Sequence, residues 1–307
     1  MNYLGIDIGG TAVKIAYLNK DGDVLTSDKY SVNFDNYETP ILETVLKSVD
    51  VFIDKYNVKN FKGICISATG QIDVNKGEVI GTGGNIKNYD GSKIKEAIED
   101  KYKVKTKVIN DANAAVLGEL FLGRAKGYKN VVMITIGTGV GGGIVVNEEI
   151  LQGSIGIGGE LGHFSINNKG KMCTCGNRGC YEKYASMTAL IKKVEDELGI
   201  KGMNGKDIFD KICTDKDISN IVDEWIDDIA DGLVSLVHIF NPEIILVGGA
   251  VSEQKELFID KLEIKIKEKV MENFLSNLKI EGAKLGNNAG LVGALYYYIK
   301  DGEKNEL

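Results

Sequence analysis

Twice in this chain an apolar, β-branched run ends in glycine and threonine and then resumes as a second apolar run, not a helix. Tyr3–Ile8 enters Gly9-Gly10-Thr11, and Val131–Ile136 enters Gly137-Thr138-Gly139. β-Branched runs closed by glycine read as strands joined by tight hairpins. One hairpin in each half predicts two α/β domains facing each other across a cleft. The length of 307 residues permits this, since a domain takes roughly 100–200 residues.

The rest of the chain fits that duplication. Ala12–Leu18 and Val24–Val32 follow the first turn as strands, with Asp21-Gly22-Asp23 between them. Apolar residues at Ile41, Leu42, Val45, Leu46, Val49 and Ile53 recur at helical spacing and predict a helix over 39–56. Gly63–Ala68 reads as a strand, Ser92–Tyr102 as a helix, Val104–Ile109 as a strand and Asp111–Leu122 as a helix. The second half repeats the scheme, with a short strand at Ile144–Val146 and a turn at Asn147-Glu148-Glu149. Helices are predicted over 187–198, 218–240, 254–273 and 288–300, and a strand over Glu243–Val247.

Charge and composition exclude several functions. A formal charge of −7 with no dense Lys/Arg block gives no basic face for nucleic acid. The longest apolar runs fall far short of the roughly 20 residues that span a bilayer. Met1–Asp7 carries no basic leader, so a cytoplasmic protein is expected.

Gly137-Thr138-Gly139-Val140-Gly141-Gly142 matches the dinucleotide fingerprint G-x-G-x-x-G. That fingerprint needs a helix to open at the glycines, and Gly143-Ile144-Val145-Val146 favours a strand, so the Rossmann reading is rejected. Glycine hairpins still let successive N–H groups approach phosphate closely. Thr11 and Thr138 would add hydroxyl donors, and Asp7, ending its strand, is placed to hold a Mg²⁺–water shell. Plain tight turns, with Asp7 a turn residue, are the structural alternative.

Asn110-Asp111-Ala112-Asn113-Ala114-Ala115 falls where a strand meets a helix, the usual place for sites in α/β proteins. A carboxylate there could accept the proton of an attacking hydroxyl. Asp111 is the candidate, against the alternative of a helix N-cap. Cys173, Cys175 and Cys180 follow His163, one of only two histidines. Three thiolates and one imidazole suit a fully occupied, structural tetrahedral Zn²⁺; buried reduced cysteines are the alternative. His238 reads as a packed or capping residue, and Cys65 and Cys213 as small core hydrophobes.

Together these segments resemble the ROK family (repressors, open reading frames and kinases) of the hexokinase-like, actin-like ATPase superfamily. The matching stretches are Asp7-Ile8-Gly9-Gly10-Thr11-x-x-Lys14, Asn110 to Ala115, Gly137-Thr138-Gly139-x-Gly141, Glu160-x-Gly162-His163 and Cys173-x-Cys175-Gly176-x-x-Gly179-Cys180-x-Glu182. They occur in the family's order, and the similarity runs from residue 4 to about 298. The resemblance implies a two-domain, ribonuclease H-like α/β fold with a mixed sheet and flanking helices in each domain and the active site in the interdomain cleft. Residues 1–115 with 288–307 would form the smaller domain, and 116–287 the larger, zinc-bearing one.

The resemblance also implies roles. Asp111 would be the general base, while Gly70, Asn85, Asn110, Glu160, His163 and Glu182 would contact the sugar. Asp7, Gly9, Gly10, Thr11, Lys14, Gly137, Thr138 and Gly139 would serve ATP and Mg²⁺, and Gly248-Gly249 would line the adenine side. His163 would serve zinc with one ring nitrogen and the sugar with the other. Many members continue after the sugar-contacting Asn with Pro-Gly-Trp, whereas this chain reads Asn85-Ile86-Lys87-Asn88-Tyr89-Asp90-Gly91. The sugar therefore stays open among glucose, fructose, N-acetylmannosamine and β-glucosides.

The expectation is an ATP-dependent sugar kinase phosphorylating a primary hydroxyl, most often O6. A homodimer is implied, with a tetramer as the alternative. The rivals are a sugar-binding protein without catalysis and a transcriptional regulator. The regulator is disfavoured because only six residues precede Asp7, too few for a helix-turn-helix segment.

Overall fold

The computed structural model describes residues 1–82 and 86–304. The chain forms two compact units, Met1–Lys126 with Ile150–Gly159 and Asn287–Leu307, and Gly127–Glu149 with Glu160–Gly286.

The first unit carries β1 (Asn2–Ile8), β2 (Ala12–Asn19), β3 (Val24–Ser31), α1 (Ile41–Tyr56), β4 (Ile64–Ala68), β5 (Gln71–Asp73), β6 (Glu78–Gly81), α2 (Ile94–Tyr102), β7 (Thr106–Asn110) and α3 (Asp111–Leu122). Its main sheet has the order β3-β2-β1-β4-β7. β1, β2 and β3 are antiparallel, and β4 and β7 continue in parallel from β1. Every residue of β4 is buried, as expected of a central parallel strand covered on both faces. β3 alternates half-buried with exposed residues, as an edge strand does.

The second unit repeats the plan with β8 (Val131–Ile136), β9 (Val140–Val146), β10 (Glu149–Ile150), β11 (Ile244–Gly248) and β12 (Lys279–Gly282), ordered β10-β9-β8-β11-β12. β8 and β9 form the hairpin, and β8, β11 and β12 run parallel. Its helices are α4 (Glu182–Ala185), α5 (Met187–Leu198), α6 (Gly205–Lys211), α7 (Lys216–Phe240) and α8 (Asp260–Lys269). Trp225 on α7 lies at the centre of this core, stacked on Phe258 with ring centroids 5.4 Å apart. The duplication read from the two glycine turns is thus a duplication of sheet topology.

Several elements differ from expectation for local reasons. β9 begins at Val140, because the ladder with β8 draws the glycines in: Gly141, Gly142 and Gly143 face Thr135, Ile134 and Met133. A strand, not a helix, therefore follows Gly137–Gly139, which removes the Rossmann arrangement. The helix expected over 254–273 opens as a π-turn, Lys255–Ile259, before α8, because the Phe258 and Ile259 N–H groups share the Gln254 carbonyl. Cys65 is buried as expected, but Cys213 is exposed. It lies in the turn between α6 and α7, outside the core that Ile212 enters.

The first unit extends past residue 115 to Lys126. The cause is the packing of α3 against the C-terminal helix, Ala289–Lys304. A Cβ at Gly293 would stand 1.6 Å from the Ala114 carbonyl oxygen, an approach only glycine permits. That contact keeps α3 whole within the unit. No helix among the described residues is long and apolar enough to cross a membrane.

Candidate functional site

At the carboxyl end of β7 the chain turns directly into α3, and Asn110 caps the helix. Its side-chain oxygen accepts from the N–H groups of Ala112 (2.9 Å) and Asn113 (3.1 Å). Its amide donates to the Gly70 carbonyl at 2.9 Å, joining two of the expected sugar-contacting positions. Capping by Asn110 makes Asp111 the first residue of the helix. Asp111 Oδ1 accepts from Asn110 Nδ2 (3.0 Å) and from the Ala112 N–H (2.8 Å). A carboxylate in a first helical turn is stabilised by the positive end of the helix dipole.

Asp7 and Lys14 face each other across the β1–β2 hairpin, with Gly9, Gly10 and Thr11 in its turn. The Gly9 N–H donates to the Ala12 carbonyl at 3.0 Å and closes the turn. Lys14 Nζ donates to Asn288 Oδ1 (2.6 Å) and to the Asn287 carbonyl (3.3 Å). Ser67 on β4 donates to Asp7 Oδ1 at 2.6 Å. Gly290 leaves room for that carboxylate, since a Cβ there would lie 2.8 Å from Asp7 Oδ1.

Burial pushes the Asp7 carboxyl above its usual range, opposed by the Ser67 bond and the charge of Lys14. An ionised Asp7 therefore costs the fold stability at neutral pH. The cost fades as pH falls through the raised value, because the group then protonates in the folded state first. Asp7→Asn, measured without Mg²⁺, should accordingly melt higher than the parent at pH 7. The two melting curves should converge toward pH 4, and equal Tm values at pH 7 would refute the cost.

In the second unit, Gly137, Thr138 and Gly139 form the β8–β9 turn, closed by the Gly137 N–H on the Gly139 carbonyl at 3.0 Å. Thr188 of α5 donates to the Thr138 carbonyl at 2.7 Å. Gly248 lies beside Thr135 in the ladder, and Gly249, with a φ of 95°, follows it. The two adenine-side candidates and the turn thus occupy one end of the same sheet.

Glu182 opens α4 and reaches the same turn, its Oε2 accepting from the Val140 N–H at 3.4 Å. The Tyr181 hydroxyl donates to the Ile229 carbonyl at 2.7 Å, which fixes this segment to α7. The His163 N–H donates to the Glu160 carbonyl at 3.1 Å. Glu160 is exposed on its loop, yet the protein around its carboxyl holds it above the usual range. His163 opposes that rise and Glu182 adds to it. Glu160, His163 and Glu182 therefore share one electrostatic neighbourhood.

The cysteine cluster can be tested against its expected ion. The candidate ligand atoms of His163, Cys173, Cys175 and Cys180 all lie within 4.8 Å of one another. Cys173 Sγ is 3.7 Å from His163 Nδ1, and Cys175 Sγ is 3.5 Å from Cys180 Sγ. A tetrahedron with Zn–S bonds near 2.3 Å has S···S edges of about 3.8 Å. Both separations lie close to such edges, so the donor set fits zinc. The ring presents Nδ1 to the cluster, which leaves Nε2 for another partner.

Asn85, expected to touch the sugar, lies outside the described residues. Sequence reasoning overlooked Ser67, Gly290 and the Asn287–Asn288 pair that holds Lys14. Ser67 carried a readable signal, a lone hydroxyl within the apolar run Ile64–Ala68. Gly290 and the asparagines are more than 270 residues from their partners, and no local pattern marks them. His238 is exposed and not packed, and of the two readings only capping holds: the Met271 N–H donates to its Nε2 at 3.3 Å, and its ring meets Phe274 edge-on.

The profile of the ROK family matches residues 3–301. Glucokinase of Thermotoga maritima is 29% identical over 308 residues, covering 96% of this chain and 96% of that protein. The xylose repressor of Caldicellulosiruptor bescii is 28% identical over 314 residues, covering 97% of this chain and 78% of that protein. Among solved structures, a ROK family glucokinase from Streptomyces griseus in complex with glucose and AMPPNP aligns with a TM-score of 0.82. Its identity is 27%, over 96% of this chain and 98% of that one.

Proposed function

The chain belongs to the ROK family, and from that premise we propose that it is an ATP-dependent sugar kinase. Its two mixed sheets with flanking helices are the actin-like ATPase fold. The observation that carries the kinase reading is the placement of Asp111. Asn110 takes over the capping of α3, so Asp111 is held at the end of β7 without serving as the cap. Relatives named glucokinase along nearly the full chain support the same activity.

In this reading a primary hydroxyl of a hexose-type sugar, O6, attacks the γ-phosphorus of ATP. The O6–P bond forms, the bond to the β–γ bridging oxygen breaks, ADP leaves and Asp111 takes the hydroxyl proton. Asn110, Gly70, Glu160, His163 and Glu182 contact the sugar. Gly9 and Gly137 close the two turns through their own N–H groups, and the backbone N–H groups of Gly10, Thr11, Thr138 and Gly139 bind phosphate oxygens. Lys14 supplies positive charge on the same hairpin, and Gly248-Gly249 line the adenine. Asp7 would hold Mg²⁺, which would supply positive charge to the transferring phosphate. Hydroxyl-shaped contacts of this kind reject analogues that leave a buried polar group unpaired. The protein would act in the cytoplasm, as a homodimer.

ADP release with Mg·ATP, measured against hexoses, N-acetylhexosamines and β-glucosides, tests the proposal. Turnover with one of these classes is expected. Sugar binding by calorimetry with no ADP formed from any of them would instead support a binding protein or regulator.

A further inference from the structure

The segment Ile86–Gly91, where the chain departs from the Pro-Gly-Trp pattern, is placed by contacts within the first unit. The Ile86 side chain lies 3.5 Å from where a Cβ of Gly10 would stand, at the phosphate-loop side. The Tyr37 hydroxyl donates to the Gly10 carbonyl (2.8 Å), and Asn88 Nδ2 donates to the Tyr37 carbonyl (3.1 Å). On the other side the Thr82 hydroxyl donates to Asp90 Oδ1 (2.7 Å), and Thr82 borders Gly70, whose carbonyl Asn110 holds. The segment thus bridges the β1–β2 turn and the Gly70–Asn110 pair.

Tyr89 sits in the middle of this bridge, fully buried, and its hydroxyl has no hydrogen-bond partner among the described residues. Buried hydroxyls are normally paired, and an orphaned one calls for a reason. Three other buried side-chain atoms among the described residues share this state: Asp35 Oδ1, Thr44 Oγ1 and Asn113 Oδ1. Of these, Asp35 bonds Thr39 through its second oxygen, and Thr44 lies within α1. Tyr89 differs in its surroundings. Burial, and then the carboxylates of Asp111 and Asp7, hold its phenol above the ordinary range, so it stays protonated and can donate. Neither carboxylate takes the bond, and no other group among the described residues accepts it, so the donor is open to a ligand.

We propose that the Tyr89 hydroxyl is a specificity-determining donor to one hydroxyl of the bound sugar, supplied from the Ile86–Gly91 segment. This rests on the sugar-kinase reading and names a residue that would select the substrate within it. The hydroxyl is sealed in the sugar-free fold, so engagement requires the segment to shift. The segment's backbone is tied by the Ser92 N–H to the Tyr89 carbonyl (3.1 Å) and by the Gly91 N–H to the Val79 carbonyl (2.8 Å), and the Asn88 and Thr82 bonds are side-chain ties at the surface.

Tyr89→Phe removes the hydroxyl and keeps the ring. With the sugar that the parent protein phosphorylates, its kcat/KM should fall on the order of tenfold, the weight of one neutral hydrogen bond. Deoxy analogues of that sugar, each lacking one hydroxyl, then separate the roles. For one analogue, parent and variant should perform alike, because the two deletions remove the same bond. The sugar-induced rise in Tm should be smaller in the variant, while the sugar-free Tm holds or increases as an unpaired buried hydroxyl is lost. An unchanged kcat/KM, or an equal loss across every analogue with a lower sugar-free Tm, would overturn the proposal and leave Tyr89 a packing residue. If the parent turns over no sugar, the kinase reading fails instead, and the sugar-induced Tm comparison alone decides the role of Tyr89.

Discussion

Asp111→Asn should lower sugar-dependent ADP release by roughly 10²- to 10⁴-fold, the usual contribution of a positioned general base. The substitution is close to isosteric and keeps an oxygen where Oδ1 accepts from Asn110 Nδ2 and the Ala112 N–H. The cap is untouched, because Asn110 provides it. Removing a negative charge from the first turn of α3 costs about 0.3–1 kcal/mol of dipole stabilisation, so the melting temperature should barely move. Sugar affinity by calorimetry should also be nearly preserved, since an amide still offers hydrogen bonds but cannot take up the proton. A variant that turns over near the parent rate would remove Asp111 from the base role. A variant that loses both turnover and several degrees of Tm would show that the residue is structural.

The parts of the site that sequence made legible are those whose chemistry is local. The Gly9–Thr11 and Gly137–Gly139 turns follow from a β-branched run stopped by glycine, and both lie in hairpins of equivalent topology. The cysteines and His163 stood out because both residue types are scarce in the chain. The Asn110-Asp111 junction was visible, but which residue caps the helix was not. That depends on side-chain direction, which β7 and the Gly70 carbonyl set. β12 was invisible, because Lys279–Gly282 holds a single apolar residue and becomes a strand only by pairing with β11. β5 and β6 are three and four residues long, and their pairing is what brings Gly70 and Thr82 together. Long-range partners such as Gly290 at Asp7 leave no periodic trace at all.

Removing zinc should have the second large effect, and it should reach the sugar through His163 and Glu182. The cysteine loop has little core of its own. Cys175 is exposed, and the loop is tied mainly by short backbone bonds such as the Cys173 N–H to the Asn177 carbonyl at 2.9 Å. A structural ion would supply the missing stabilisation, since binding free energy at such a site is folding free energy. His163 belongs to the loop and to the cluster, and Glu182 follows Cys180 by two residues. Protein purified without chelators should therefore contain about one zinc per chain. Stripping it, or replacing Cys180 with Ser, should melt the loop and lower kcat/KM for the sugar by roughly 10- to 100-fold. Because His163 and Glu182 are the cluster's proposed links to the sugar, the loss should appear in KM for the sugar more than in KM for ATP. Re-adding Zn²⁺ should restore the stripped protein but not the Cys180→Ser variant. Protein that carries no zinc and is indifferent to chelators would reduce the cluster to four side chains packed without an ion.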